Sequence, residues 1–216
     1  MDFSVINLAL VAKLLLLLLI GMGPKIALVP FLEKTKHFDA ETQRAVGRQM
    51  VVTAVVTALV LFAFGALLMR LLHITGGAVA VAGGIILAIL AIDMVSRPGK
   101  KIVEVETPVD PKTIAVYPLA VPYLLNPVGI TILIIASSEV VSIASVGLVV
   151  GLVLLVGAFD YWIFANIDKL SKRLNPTGLV ISEVVFGILL TAVAIQLAVS
   201  GLDMLGIIEA SPGSAH

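Results

Sequence analysis

Gly21–Leu32 (G-M-G-P-K-I-A-L-V-P-F-L) and Leu125–Ser137 (L-N-P-V-G-I-T-I-L-I-I-A-S) each interrupt a long apolar run with a Gly or Asn followed by a Pro. In water such a stretch reads as a turn between two elements. Inside a bilayer it reads as a discontinuous helix, and the ends of such helices are where transporters hold their substrates. A Pro within a helix frees the carbonyl four residues back and ends the hydrogen-bond ladder. In hydrocarbon each freed group must find a partner, since leaving one bare costs several kcal/mol.

The composition decides for the bilayer. Of 216 residues, 60% are hydrophobic and 13% charged, with a mean hydropathy of +1.15. Soluble domains carry roughly a quarter charged residues. Lys+Arg and Asp+Glu number 14 each, so no basic surface points to nucleic acid and no charge block to a disordered tail. The absence of cysteine excludes disulfides and thiolate metal sites. His37, His73 and His216 have no metal-ligand spacing. No Ser/His/Asp arrangement, phosphate-binding Gly loop or HExxH string occurs, which disfavours a hydrolase or a nucleotide-driven pump. Leu14–Ile20 has the length of a signal-peptide core. However, M-D-F-S before it is acidic, Lys13 interrupts it, and no small-x-small site precedes Pro24, so it is read as the first membrane helix.

The apolar windows are Val5–Met22 continuing to Leu32, Met50–Met69, Gly76–Val95, Thr113–Leu125 continuing to Ser137, Ile143–Ala165 and Gly178–Ser200. About 20 residues at ~1.5 Å each cross a ~30 Å core. The expectation is an all-α integral membrane protein of six spans, the first and fourth discontinuous at Pro24 and Pro127. Eleven Lys and Arg fall in the loops after spans one, three and five, against Arg70 alone in the alternate loops. The positive-inside rule then puts both termini outside the cytoplasm of a cell (inner) membrane.

Pro24 and Pro127 are 103 residues apart, and so are Gly84 and Gly187. The same shift lays residues 81–94 on 184–197 with six identities in fourteen, and Asp93 on Gln196. Two halves of three spans each must lie inverted to one another, as in many secondary transporters. The expected organisation is one membrane domain: repeats 1–99 and 113–205, a cytoplasmic linker 100–112 and a polar tail 206–216. Small residues of spans three and six, such as Gly76, Gly77, Gly83 and Gly84, suit close helix packing.

After each Pro a new half-helix begins with unsatisfied N–H groups at its positive end, a seat for a carboxylate. The candidate binding residues are therefore Gly21, Gly23, Pro24 and Lys25 at the first break and Asn126, Pro127, Gly129 and Thr131 at the second. The alternative is a pair of structural kinks. Lys25 either snorkels to an interface or faces a cavity; the shift sets Val128 opposite it. The intramembrane acids Asp93, Asp160 and Glu183 are candidates for coupling, because a carboxylate there faces a cavity, pairs with a base or carries protons. Glu183 could instead pair with Lys13 or Lys172.

V-Y-P-L-A-V-P-Y-L-L-N-P-V-G-I-T (116–131) is similar to the P-L-A-x-P…G-P-G-x-I signature of the MarC family. A-G-G-I-I-L-A-I-L-A-I-D-M (82–94) resembles that family's I-A-G-G-I-L-L-x-x-x-A-x-x-M third span. The resemblance covers essentially the whole chain. The family's first-half N-P-x-G-x-x-P-x-F stands here as Gly23–Phe31 (G-P-K-I-A-L-V-P-F), and its G-P-G as Asn126–Gly129, so the two forms are exchanged between halves. The resemblance implies secondary transport of small neutral amino acids such as glycine and alanine, ion-driven or by exchange. A substrate carboxylate would sit at the half-helix N-termini and its ammonium on carbonyls freed by the breaks, with H+ or Na+ as coupling ion and no other cofactor. The expected partners are the small-molecule substrate and the lipid bilayer, with a homo-oligomer left open. A non-transporting scaffold or assembly protein is the alternative; a membrane enzyme lacks its catalytic constellation.

Overall fold

The computed structural model describes residues 7–96, 110–167 and 176–209. Residues 97–109, which include most of the linker expected at 100–112, together with Lys172 and most of the tail, lie outside these. The elements are α1 (Leu8–Met22), α2 (Pro24–Thr35), α3 (Ala40–Leu72), α4 (Gly76–Ser96), the short α5 (Pro111–Ile114), a π-wound segment (Ala115–Leu124), α6 (Pro127–Glu139), α7 (Ile143–Ala165) and α8 (Pro176–Met204). No strand occurs among the described residues. Five spans, α1 and α2 counting as one of 28 residues, are long and apolar enough to cross a membrane. The pair Pro111–Leu124 and Pro127–Glu139, bent by 72°, makes up to a sixth.

Local chemistry sets the ends. The side chain of Asn7 accepts from the Leu10 N–H at 2.8 Å and starts α1. Ser142 and Ser145 form a reciprocal capping box that starts α7. Asp39 caps α3, with Glu41 in its first turn, both favourable at the positive end of a helix. That cap extends α3 ten residues ahead of the apolar window. Arg44 and Arg48, which the loop count assigned between spans, therefore lie on the helix. At 33 residues α3 is ~50 Å long, more than the ~30 Å core requires.

The fourth span departs further from expectation, which placed its only interruption at Pro127. Pro118 and Pro122 already break it: Tyr117 and Val121, the residues before them, are extended with φ of −135°. A residue preceding Pro is pushed out of the helical region. Non-helical backbone survives at membrane depth only when protein covers it. Here Ala115, Leu119, Ala120 and Leu124 are buried, and α2 and α3 pack on the segment.

The main core joins α1, α2, α3, α6, α7 and the π-wound segment through Leu14, Met22, Phe31, Met50, Leu119 and Phe164 among others. A smaller core of Leu87, Ala91, Val128, Ile132, Leu190 and Ala194 ties α4 and α8 to α6. Helices α4 and α8 pack antiparallel, backbone close to backbone. A Cβ on Gly77 would come within 2.8 Å of the Gly201 carbonyl oxygen. On Gly84 it would lie 2.7 Å from that of Ala194, and on Gly187 3.0 Å from that of Ala91. Without Cβ atoms there, dispersion contacts form along the whole length, which is what holds helices together in lipid. Outward faces carry Leu67, Leu71, Ile85, Ile89, Ile188 and Ile195, all exposed. So many bare aliphatic side chains suit lipid and not water.

Candidate functional site

Two hydrogen bonds of one residue bring the two interruptions together. Helix α1 ends at Met22, Gly23 is extended (φ −83°, ψ 161°), and Pro24 opens α2. The last carbonyls of α1 lack helical partners, as at any C-terminus. The Asn126 N–H donates to the Gly21 carbonyl at 2.9 Å, and the Asn126 side-chain amide donates to that of Ile20 at 2.6 Å. The Asn126 Oδ1 accepts from the N–H of Val128 at 2.9 Å and, more weakly, of Gly129 at 3.4 Å. Asn126 thus caps its own half-helix and the end of α1 at once, and it is fully buried.

The backbones touch at this point. A Cβ on Gly21 would overlap the Cα and N of Gly129, and one on Gly129 would overlap the Gly21 carbonyl oxygen. Glycine at both positions is what allows the approach. At Gly23 a Cβ would strike the Leu19 carbonyl oxygen. No side chain fits there, so α2 starts without a side-chain cap.

The other candidates disperse around this clamp. Pro127 is buried and Pro24 half-buried, each at the first turn of its helix. Thr131 is buried, one turn into α6, and its hydroxyl lies where a Cβ of Gly83 on α4 would be. Lys25 is exposed and extends to α8, its Nζ 3.7 Å from the centre of the Phe186 ring. A cation–π contact at such a site is worth ~0.5–1 kcal/mol. Phe186 carried no mark in the sequence; only the approach of α2 to α8 identifies it.

The acids divide. Asp93 is exposed near the end of α4, and Glu183 is half-buried on α8. Both, with Glu33 of α2, lie within electrostatic reach of Tyr123, and Glu33 within reach of Glu183. Glu33 was missed, although a Glu two residues after Pro30-Phe31 at the end of an apolar run is a visible oddity. Asp160 differs from all of these. It is fully buried on α7, and neither carboxylate oxygen has a hydrogen-bond partner among the described residues. Gly157, one turn before it, meets Val55 of α3 and the end of Met22, the last residue of α1. Beside it runs an open groove of about 650 Å³ lined by Arg44, Ala45, Arg48, Gln49, Val52, Tyr161 and Ala165.

Long apolar helices around a buried polar clamp, with aliphatic faces turned outward, define a polytopic integral membrane protein. The chain belongs to the MarC family: the profile described as "MarC family integral membrane protein" matches residues 8–206. A "UPF0056 membrane protein" of Methanocaldococcus jannaschii is 28% identical over 84% of this chain and 90% of its own. One from Pyrococcus horikoshii is 26% identical over 88% and 94%, and one from Aquifex aeolicus 28% over 91% and 94%. These names state a membrane protein and no activity. No solved structure matches the chain.

Proposed function

We propose that this chain is a secondary transporter of small neutral amino acids, glycine- or alanine-like, with no catalytic activity. The observation that carries the reading is the unequal capping of two half-helices that meet inside the protein. The α6 N-terminus is occupied by the Asn126 side chain, whereas α2 begins at Gly23 with no side-chain cap. Bare N–H groups at a helix start attract a carboxylate. The substrate carboxylate takes that place, and its ammonium takes the carbonyls of Ile20 and Gly21 as Asn126 releases them. Because Gly21 and Gly129 are in contact here, admission of substrate requires the two breaks to separate. Gly21, Gly23, Pro24, Lys25, Asn126, Pro127, Gly129 and Thr131 form or flank this site.

In this reading the halves 1–99 and 113–205 are inverted repeats. The contact of Gly84 with Ala194 becomes that of Gly187 with Ala91 when 103 is added to one residue and subtracted from the other. Both termini lie outside the cytoplasm of the cell (inner) membrane, and transport runs by ion coupling or exchange. The test is uptake of radiolabelled glycine and alanine into proteoliposomes, with and without a pH or sodium gradient and with counterflow. Uptake equal to that of empty vesicles in every arm would sink the proposal. It would leave the second reading, a packing scaffold, which the tight Gly21–Gly129 contact favours.

A further inference from the structure

We propose that Asp160 is a proton-binding residue, neutral in the conformation described here, and that it couples transport to H+ rather than Na+. The protonation itself stands on the geometry alone; the coupling rests on the transport reading above. A fully buried carboxylate whose two oxygens have no hydrogen-bond partner among the described residues is held far more easily as the acid than as the anion.

Among the described residues the surroundings offer no substitute for the proton. Along α7, Gly157 packs on Val55 and Phe164 on Gly47, so antiparallel register sets Asp160 against the intervening turns of α3. There the buried residues are Met50, Val51 and Ala54, all apolar. The charged groups of the elements packed on α7 stand elsewhere. On α3, Arg44 and Arg48 are exposed on the groove, and on α1, Lys13 is exposed. On α2, whose Phe31 ring meets that of Phe164 at 5.0 Å, Glu33 and Lys34 are half-buried. A sodium ion demands several oxygen ligands. Among the described residues no group of three or more acids or histidines could supply them.

The position supplies the link to the breaks. Asp160 lies one turn beyond Gly157, on the α7 face against which Met22 closes α1. Ionisation needs water at the carboxyl, and water reaches it only if α7 parts from α1 and α3. The groove lined by Arg48, Gln49 and Tyr161, the immediate neighbour of Asp160, is the side from which it enters. The step is carboxylic acid to carboxylate, with the proton passing to that water. Two guanidinium groups in the same groove then favour the anion. Movement of α1 at Met22 also moves the first break, so loss of the proton and opening of the site are one event.

The test has two arms. Infrared difference spectra of the lipid-reconstituted full chain, wild type minus Asp160→Asn, are expected to contain the C=O stretch of a neutral carboxylic acid at pH 7. Carboxylate bands alone would overturn the assignment. Asn keeps size and neutrality, and Asp160→Glu, which restores a titratable group, is expected to bring the acid band back. In proteoliposomes, Asp160→Asn is expected to lose the response of uptake to a pH gradient, lowering the ratio of gradient-driven uptake to exchange. An Asp160→Asn protein that retains the full pH response would overturn the coupling. A wild type with neither uptake nor exchange would end the transport reading and the coupling with it, while the infrared arm would still decide whether Asp160 holds a proton.

Discussion

The two interrupted spans solve one problem in two ways. The first loses its ladder over a single extended residue, Gly23, and continues as one 28-residue span. The second turns through 72°, after a segment already disordered in its winding by Pro118 and Pro122. The first has no side chain to satisfy its ends; the second has Asn126, which satisfies both. The break that carries the polar residue supports the end of the helix at the break that does not.

Four substitutions and one titration test this contrast, in falling order of effect. Gly129→Leu forces a side chain into the Gly21 carbonyl, and the loss is expected to exceed about 3 kcal/mol, read as a collapse of folded yield and of thermal stability in detergent. A normally folded Gly129→Leu protein would show that the breaks do not touch. Asn126→Ala removes two side-chain acceptor bonds and one donor bond from a buried site, and about 2 kcal/mol should go with them. Gly23→Asn is a test of sign. At an ordinary helix start Asn stabilises, but here the Cβ meets the Leu19 carbonyl, and a loss of about 1 kcal/mol is expected. A rise in melting temperature would mean that the first break can be capped and that the asymmetry is incidental.

Lys25→Met should cost only about 0.5 kcal/mol, with the same cost absent in a Phe186→Leu background. The smallest effect compares the buried cap with one in water. Asp39, at the start of α3, is held below the usual carboxylate range, first by the Thr42 side chain it bonds. A folded value below the unfolded one gives stability that is present above the unfolded value of ~3.9 and is lost as pH falls through the folded one. The stability difference between wild type and Asp39→Ala should therefore shrink as the medium is acidified below about pH 4. That between wild type and Asn126→Ala should stay flat, since an amide does not titrate.

Much of this architecture could be read from the chain because a bilayer asks for simple things. About 20 apolar residues make a span, and α7 runs over Ile143–Ala165, the window expected. The start of α3 was not legible from hydropathy, because its first turns lie beyond the apolar stretch and depend on Asp39. Nor was the irregular winding around Tyr117 and Val121, although X-Pro twice in six residues was a reason to expect it. At the site, the residue types at the breaks were visible and their partners were not. Asn126 reaches Ile20 across 106 positions of sequence, and Lys25 reaches Phe186 across more. Such pairings are properties of packing. The separation of Asp160 from Glu183 and Asp93 is of the same kind: three acids in apolar sequence look alike until burial distinguishes them.

The α4–α8 pair has a thread. Its contact points, Gly77, Gly84 and Ala91 on one helix and Gly187, Ala194 and Gly201 on the other, recur every seven residues. Seven residues in two turns is slightly fewer than a straight helix supplies, so the pair winds left-handed about itself. A slip by one residue would swing each contact by about 100° off the seam. The two helices therefore stay in register or part altogether, as a nut holds one turn of its bolt or leaves it.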